Sequence, residues 1–213
     1  MHRRPKVWAI VVGGGSGSRF GTLKQFALLG DERVIDRSRR VAERACDGVV
    51  AVVPADLAEA ESGVAGGTSR SESVRRGLAA VPADADIICV HDAARPFASV
   101  ELYQRVIAAV ADGADAAVPG VAVADTIKEV DGDGVVVATP DRERLVAVQT
   151  PQAFNAAALR AAHAQGGEGT DDAALVEAAG GRVVVVPGDH LNRKITLPDD
   201  LDWARNQLVA GKM

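Results

Sequence analysis

Two cations, Arg19 and Lys24, stand just past the glycine-rich stretch Gly13-Gly14-Gly15-Ser16-Gly17-Ser18, which follows the apolar run Val7-Trp8-Ala9-Ile10-Val11-Val12. Glycine backbone approaches a ligand closely and turns N–H groups toward an anion. A guanidinium and an ammonium beside it would lie along a polyphosphate. A second polar group, His91-Asp92-Ala93-Ala94-Arg95-Pro96, follows the apolar run Ile87-Ile88-Cys89-Val90. A carboxylate there suits a ribose hydroxyl or Mg²⁺ on a triphosphate. Arg95 would reach a phosphate or brace Asp92, and His91 orients the loop. A structural Asp–Arg pair is the plainer alternative. In a third group, Gly66-Gly67-Thr68-Ser69-Arg70-Ser71-Glu72-Ser73, two glycines and several hydroxyls precede a helix. They suit a nucleobase held by backbone and Ser73, or simply a helix N-cap at Ser69 or Ser71. Lys194, in Asn192-Arg193-Lys194-Ile195-Thr196, is a phosphate ligand or a solvated lysine.

The commoner phosphate loops do not fit. A Walker loop needs two glycines five apart followed by Lys and Ser or Thr, and the dinucleotide fingerprint needs a third glycine or alanine three residues after the second. Phe20 follows Gly17 by three, and Ser18 follows Gly15 by three. Without Arg19 and Lys24 the glycine stretch would equally be a tight turn. No Ser-His-Asp, Cys-His or zinc-type spacing occurs, and His2, His163 and His190 are scattered and expected at the surface.

These groups need elements to hold them. Valine-rich runs recur at 49–53, 118–123, 135–137 and 183–186, which favours a mostly parallel, two-sided sheet. Between them, residues 33–46, 71–80, 99–111, 155–164, 171–179 and 198–208 carry helical patterns, with Pro198 in the first turn of the last and Thr170 as a cap for the fifth. Strands alternating with helices imply parallel βαβ units with right-handed crossovers. The expected class is α/β: a Rossmann-like, mostly parallel twisted sheet with helices on both faces, in one domain spanning 1–213. In such a sheet, ligands sit at the carboxyl ends of strands, where the glycine loop and Asp92 fall. Residues 121–148 break the alternation. Two β-rich runs flank Asp131-Gly132-Asp133-Gly134, a hairpin signal. This is a protruding β-hairpin arm for dimerisation, or a hairpin folded back on its own domain.

The 213 residues carry a net charge of −5, so an anionic ligand must be held by local cations, and no nucleic-acid partner is expected. The two cysteines, Cys46 and Cys89, lie far apart in sequence and form no metal-type pair. They fit a reducing, cytoplasmic compartment. No signal peptide or membrane span is read.

The ordered set is more specific than any member: the glycine loop with Arg19; Leu23-Lys24-Gln25-Phe26; Gly66-Gly67, Arg70 and Ser73-Val74; His91 to Pro96; Asp125-Thr126-Ile127-Lys128; Asp141-Arg142; Gln149-Thr150-Pro151-Gln152-Ala153-Phe154; and Lys194-Ile195-Thr196. Over nearly its whole length the chain resembles the 2-C-methyl-D-erythritol 4-phosphate cytidylyltransferase family. The resemblance implies CTP and methylerythritol phosphate as substrates, Mg²⁺, and a homodimer whose arms reach across to the partner's site. By position it implies Arg19 and Lys24 as transition-state stabilisers. Gly13, Gly14, Gly15, Ser16, Gly17, Gly67, Ser73, Asp92 and Ala93 become nucleotide contacts. Arg95, Thr126, Arg142 and Lys194 become sugar-phosphate contacts, with Thr126 and Arg142 supplied by the neighbouring arm. Mg²⁺ would be held mainly by the triphosphate, with Asp92 the one side chain offered to it. The chain departs from the family pattern at Gly13-Gly14, usually Ala-Ala; at Thr68, where an acid is common; and between Arg19 and Lys24, a shorter segment with Leu23 in place of proline. A cytidylyltransferase for another polyol phosphate, such as ribitol 5-phosphate, and a CTP-binding module without turnover are the competing functions.

Overall fold

The computed structural model describes residues 3–15 and 23–211. In chain order the elements are β1 (Val7–Val12), β2 (Leu28–Leu29), β3 (Glu32–Arg33), α1 (Val34–Ala45), β4 (Gly48–Val53), β5 (Val64–Ala65), α2 (Arg70–Ala80), β6 (Ile87–Asp92), α3 (Val100–Ala111) and β7 (Ala116–Ala122). There follow β8 (Glu129–Val130), β9 (Val136–Ala138), β10 (Val146–Val148), β11 (Gln152–Asn155), α4 (Ala156–Ala164), α5 (Asp172–Ala178), β12 (Val183–Pro187) and α6 (Pro198–Val209).

The parallel centre of the sheet is β6-β1-β4-β5, with β1 between β4 and β6. Register sets Val12 beside both Val52 and Asp92, so the strands end together and their exit loops converge. The side chains of β1 alternate as a two-residue period requires. Val7, Ala9 and Val11 face Ile35, Leu102, Tyr103 and Val106, from α1 and α3. Ile10 faces Val74, Leu78 and Leu159, from α2 and α4. This is the expected α/β sheet with helices on both faces.

The sheet is mostly parallel, as expected, and departs from strand–helix alternation also at β11, which the sequence does not single out as a strand. This four-residue strand, entered through a cis Thr150–Pro151 bond, runs antiparallel between β6 and β7. Only four residues long and with its first three buried, it has neither the length nor the alternation that would mark it in sequence. β7 also pairs with β12 in parallel and with β10 antiparallel. The hairpin is present: β8 and β9 pair antiparallel. Asp131 turns the chain by accepting from the N–H groups of Asp133 and Val135, and Gly134 adopts φ +81°.

Helix caps follow residue chemistry. Ser69 and Ser99 accept from N–H groups at the starts of α2 and α3, and Pro198 opens α6. At α5 the cap is Asp171, not Thr170, its carboxylate accepting from Ala174 N–H at 2.9 Å.

Gly77 brings α2 close to the sheet: a Cβ there would lie 2.7 Å from Ile10 Cγ2 and 3.0 Å from Val52 Cγ2. Both side chains are β-branched and stiff. Gly77→Ala should therefore destabilise the fold by about 1–2 kcal/mol, the overpacking cost exceeding the gain in helix propensity. Urea unfolding checks this; a stabilised variant would show that propensity wins.

Candidate functional site

The first loop at the strand ends is fixed from below. Gly13 N–H donates to Val52 O at 2.7 Å. The buried Gln25 side-chain amide donates to Gly13 O at 2.7 Å and Gly15 O at 3.0 Å. Gln25 belongs to a single 3-10 turn, Lys24–Phe26, so the same turn that ties the loop down sets Lys24 next to it. The second loop, Gly66-Gly67, touches the first. A Cβ on Gly14 would lie 3.2 Å from Gly66 Cα and 3.2 Å from Ser73 Oγ. Ser73 Oγ accepts from Gly67 N–H at 3.0 Å and donates to Ser69 O at 2.9 Å. Thr68 turns its N–H and hydroxyl to Glu72 Oε2, at 2.6 and 2.7 Å.

The centre of the site is Asp92, the last residue of β6. Its Oδ1 accepts from Arg70 Nε at 3.2 Å, and its Oδ2 from Lys194 Nζ at 2.6 Å. Burial alone would push this carboxyl up. The charges of Arg70, Lys194 and Arg95 outweigh it and hold Asp92 well below the usual carboxylate range. Arg70 also donates through Nη1 to Asp172 Oδ2 at 2.7 Å, and Asp172 Oδ1 is 2.9 Å from His163 Nε2. Asp172 is fully buried.

Further polar groups fix the loop after β6. Arg95 Nη1 donates to Asn192 O at 2.8 Å, and Asn192 Nδ2 donates to Thr150 O at 2.8 Å. Asp92 N–H donates to Thr150 Oγ1 at 3.0 Å. Ile195 N–H donates to Ala94 O at 2.8 Å, which ties the Lys194 segment to the β6 loop. His91 is fully buried, and burial lowers its pKa from 6.5 to about 4. Its Nε2, 3.1 Å from Arg95 O, must be the donor to that carbonyl, which leaves Nδ1 to accept the Thr150 hydroxyl at 3.0 Å. A neutral imidazole with both nitrogens engaged is an orienting group, as expected, and is not free for proton transfer.

Lys24 and Arg193 both act on the start of α6. Asp200 of α6 accepts from the N–H groups of Thr196 and Leu197, each at 2.8 Å. Burial pushes the Asp200 carboxyl up, but those bonds and the charges of Arg193 and Lys24 hold it below its ordinary value.

The structure thus gathers Gly13, Gly14, Gly15, Gly67, Ser73, Asp92, Ala93, Arg95 and Lys194 at one end of the sheet, with Lys24 anchored beside them. Ser16, Gly17 and Arg19 lie outside the described residues. Thr126 and Arg142 are exposed in the arm, where Arg142 Nη1 donates to Ala124 O at 2.7 Å. Among the described residues neither bonds to the Asp92 cluster. Two expectations are corrected. Asp92 pairs with Arg70 and Lys194, while Arg95 bonds to backbone carbonyls. His163 is buried against Asp172 rather than at the surface. Arg70, Asp172, Gln25, Thr150 and Asn192 were not singled out as site residues. Gln25, Arg70, Thr150 and Asn192 lie inside quoted motifs and Asp172 two residues past Thr170, and only the fold shows that they converge.

The sequence profile of the 2-C-methyl-D-erythritol 4-phosphate cytidylyltransferase (IspD) family matches residues 7–209. The chain belongs to this family. The bifunctional enzyme IspD/IspF of Anaeromyxobacter dehalogenans is 45% identical over 99% of the chain, which spans 59% of that protein's length. The 2-C-methyl-D-erythritol 4-phosphate cytidylyltransferase of Frankia casuarinae is 44% identical over 96% of the chain and 82% of its own length. Among solved structures, the 4-diphosphocytidyl-2C-methyl-D-erythritol synthase of Anaerococcus prevotii superposes with a TM-score of 0.85 at 29% identity, over 96% of each chain. The 2-C-methyl-D-erythritol 4-phosphate cytidylyltransferase of Thermus thermophilus does so with 0.80 at 33% identity, over 94% of this chain and 98% of its own. The chain therefore spans somewhat over half of the bifunctional relatives and most of the single-function ones. The strand-end cluster lies within the stretch that the IspD family profile matches.

His91 makes part of the stability pH-dependent. The unfolded chain takes up a proton at His91 below pH 6.5, which the folded site refuses until about pH 4. Stability should fall as pH drops through that window, by about 3 kcal/mol from this residue. His91→Gln should flatten that part of the stability–pH curve in urea titrations; an unchanged slope would contradict the assignment.

Proposed function

We propose that this chain transfers the cytidylyl group of CTP to 2-C-methyl-D-erythritol 4-phosphate. A phosphate-monoester oxygen of the polyol phosphate attacks the α-phosphorus, the bond from that phosphorus to the bridging oxygen breaks, and pyrophosphate leaves. A phosphate monoester has its second pKa near about 6, so the nucleophile needs no general base at neutral pH. The barrier is repulsion between two anions and charge growth on the α-phosphate and the leaving group, which fixed cations lower. The observation that carries this reading is the convergence of a glycine loop, Asp92 and several cations at the carboxyl ends of β1 and β6, in a chain of this family.

Within the proposal, Arg19 and Lys24 stabilise the transition state. The Gly13–Gly17 loop, Gly67, Ser73, Asp92 and Ala93 hold the nucleotide, while Arg95 and Lys194 attend the polyol phosphate. Mg²⁺ fits if the triphosphate brings most of its ligands. Among the described residues no cluster of three or more acid, His or Cys side chains could cage a metal, and Asp92 is the carboxylate at the strand end. Bound there, the metal would neutralise phosphate charge.

The arm is proposed to pair two copies, giving each site Thr126 and Arg142 from the other chain. Supporting this, Val130, Val135, Val136 and Val137 are all exposed on the arm, and an isolated hairpin needs a surface to pack on. A reducing, cytoplasmic setting is consistent with two free thiols. Among the described residues no helix is long and apolar enough to cross a membrane.

Pyrophosphate release from CTP should require methylerythritol phosphate; turnover with ribitol 5-phosphate instead would move the assignment to another polyol phosphate, and none with either would leave only CTP binding. Lys24→Ala and Arg19→Ala should each cut kcat by about 100-fold or more, and near-normal turnover would remove that role. Arg142→Ala should raise KM for the polyol phosphate more than for CTP; the reverse would reject the arm assignment.

A further inference from the structure

Five side chains form a continuous ladder from the protein interior to the mouth of the site: His163, Asp172, Arg70, Asp92, Lys194. Its inner and outer ends differ in exposure. Asp172 is fully buried and grips Arg70 Nη1 at 2.7 Å. Lys194 at the outer end leaves 41% of its side chain exposed. Its ammonium is a point charge on a flexible stem, whereas the guanidinium of Arg70 is a planar fork pre-organised for two acceptors. Arg70 uses that fork on two carboxylates at once, on α5 and at the end of β6.

Asp92 therefore has two cationic partners, of which one can leave. If Lys194 were its only partner, moving the ammonium to a substrate phosphate would strand a buried carboxylate, a costly state. With Arg70 in place, Asp92 keeps a counter-charge throughout. We propose that Arg70 is a positioning residue which, clamped on Asp172, holds Asp92 so that Lys194 can exchange from that carboxylate to the phosphate of the bound polyol phosphate. The Asp92–Lys194 contact is then a resting latch, and Arg70 lowers the cost of opening it. This rests on the proposed assignment of Lys194 to the polyol phosphate.

The test is steady-state kinetics of the full chain. Arg70→Gln keeps hydrogen-bonding capacity but removes the charge, so Lys194 stays on Asp92. KM for methylerythritol phosphate should rise by about tenfold or more, with KM for CTP changed by less than about threefold, since Asp92 itself stays paired. Arg70→Lys should recover most of the loss. Because Arg70→Gln leaves Asp172 facing only His163, the double variant Arg70→Gln/Asp172→Asn removes the charge and its counter-charge together, and should show the same KM split even if the single variant is poorly folded. Equal changes in both KM values, a larger change for CTP, no change, or failure of both Gln variants to fold would each overturn the proposal by making Arg70 a nucleotide contact, a bystander or a structural residue. Absence of turnover in the unsubstituted enzyme would overturn the functional reading, and this inference with it; normal turnover without the split overturns the inference alone.

Discussion

The site depends on one buried carboxylate shared by two cations. Asp92 ends the central strand β6 and would be too costly to keep ionised there without counter-charge. Arg70 comes from α2 and Lys194 from the loop before α6, so this carboxylate ties three separate parts of the chain to one point. Arg70 and Lys194 balance Asp92 and Asp172, and Arg95 adds a further positive charge beside them. A polyphosphate can be held there by a chain whose overall charge is −5. Local electrostatics and global charge are opposed, and at short range the local cations dominate.

The glycine loops solve a different problem, that of space. Gly14 and Gly66 approach so closely that a Cβ on either would crowd the other's Cα. The strand ends thereby present backbone rather than side chains. Gln25 holds the first loop in that posture through two carbonyls, and Thr150 and Asn192 hold the loop after β6. These bonds fix the loops from within the chain, the kind of preorganisation that makes dipoles and charges effective in catalysis.

Much of this was legible in the residues. The apolar runs of β1, β4 and β6, the glycines after β1 and the Asp-Gly-Asp-Gly turn carry local signals that do not depend on tertiary context. Asp92 and Lys194 stood out by type and by position after strands. Their pairing did not, because 102 residues separate them and they meet where the Ile195 N–H bond to Ala94 O ties the Lys194 segment to the loop after β6. Arg70 stayed in the shadow of its neighbours for the same reason: its partners lie 22 and 102 residues away. His163 looked like a scattered surface residue because its burial comes from α4 docking on α5. β11 is hard to read as a strand because four residues, three of them buried, carry no periodic pattern. The arm's function is the least legible part, since the described residues of this chain leave its valines exposed.

The cationic strand-end is the central claim, and a crystal structure with CTP bound tests it most directly. The account places the triphosphate against Gly13–Gly15, with Lys24 and Arg19 directed at its phosphates and the nucleoside between Asp92 and Ser73. CTP bound away from the ends of β1 and β6, or both cations pointing away from it, would contradict that account.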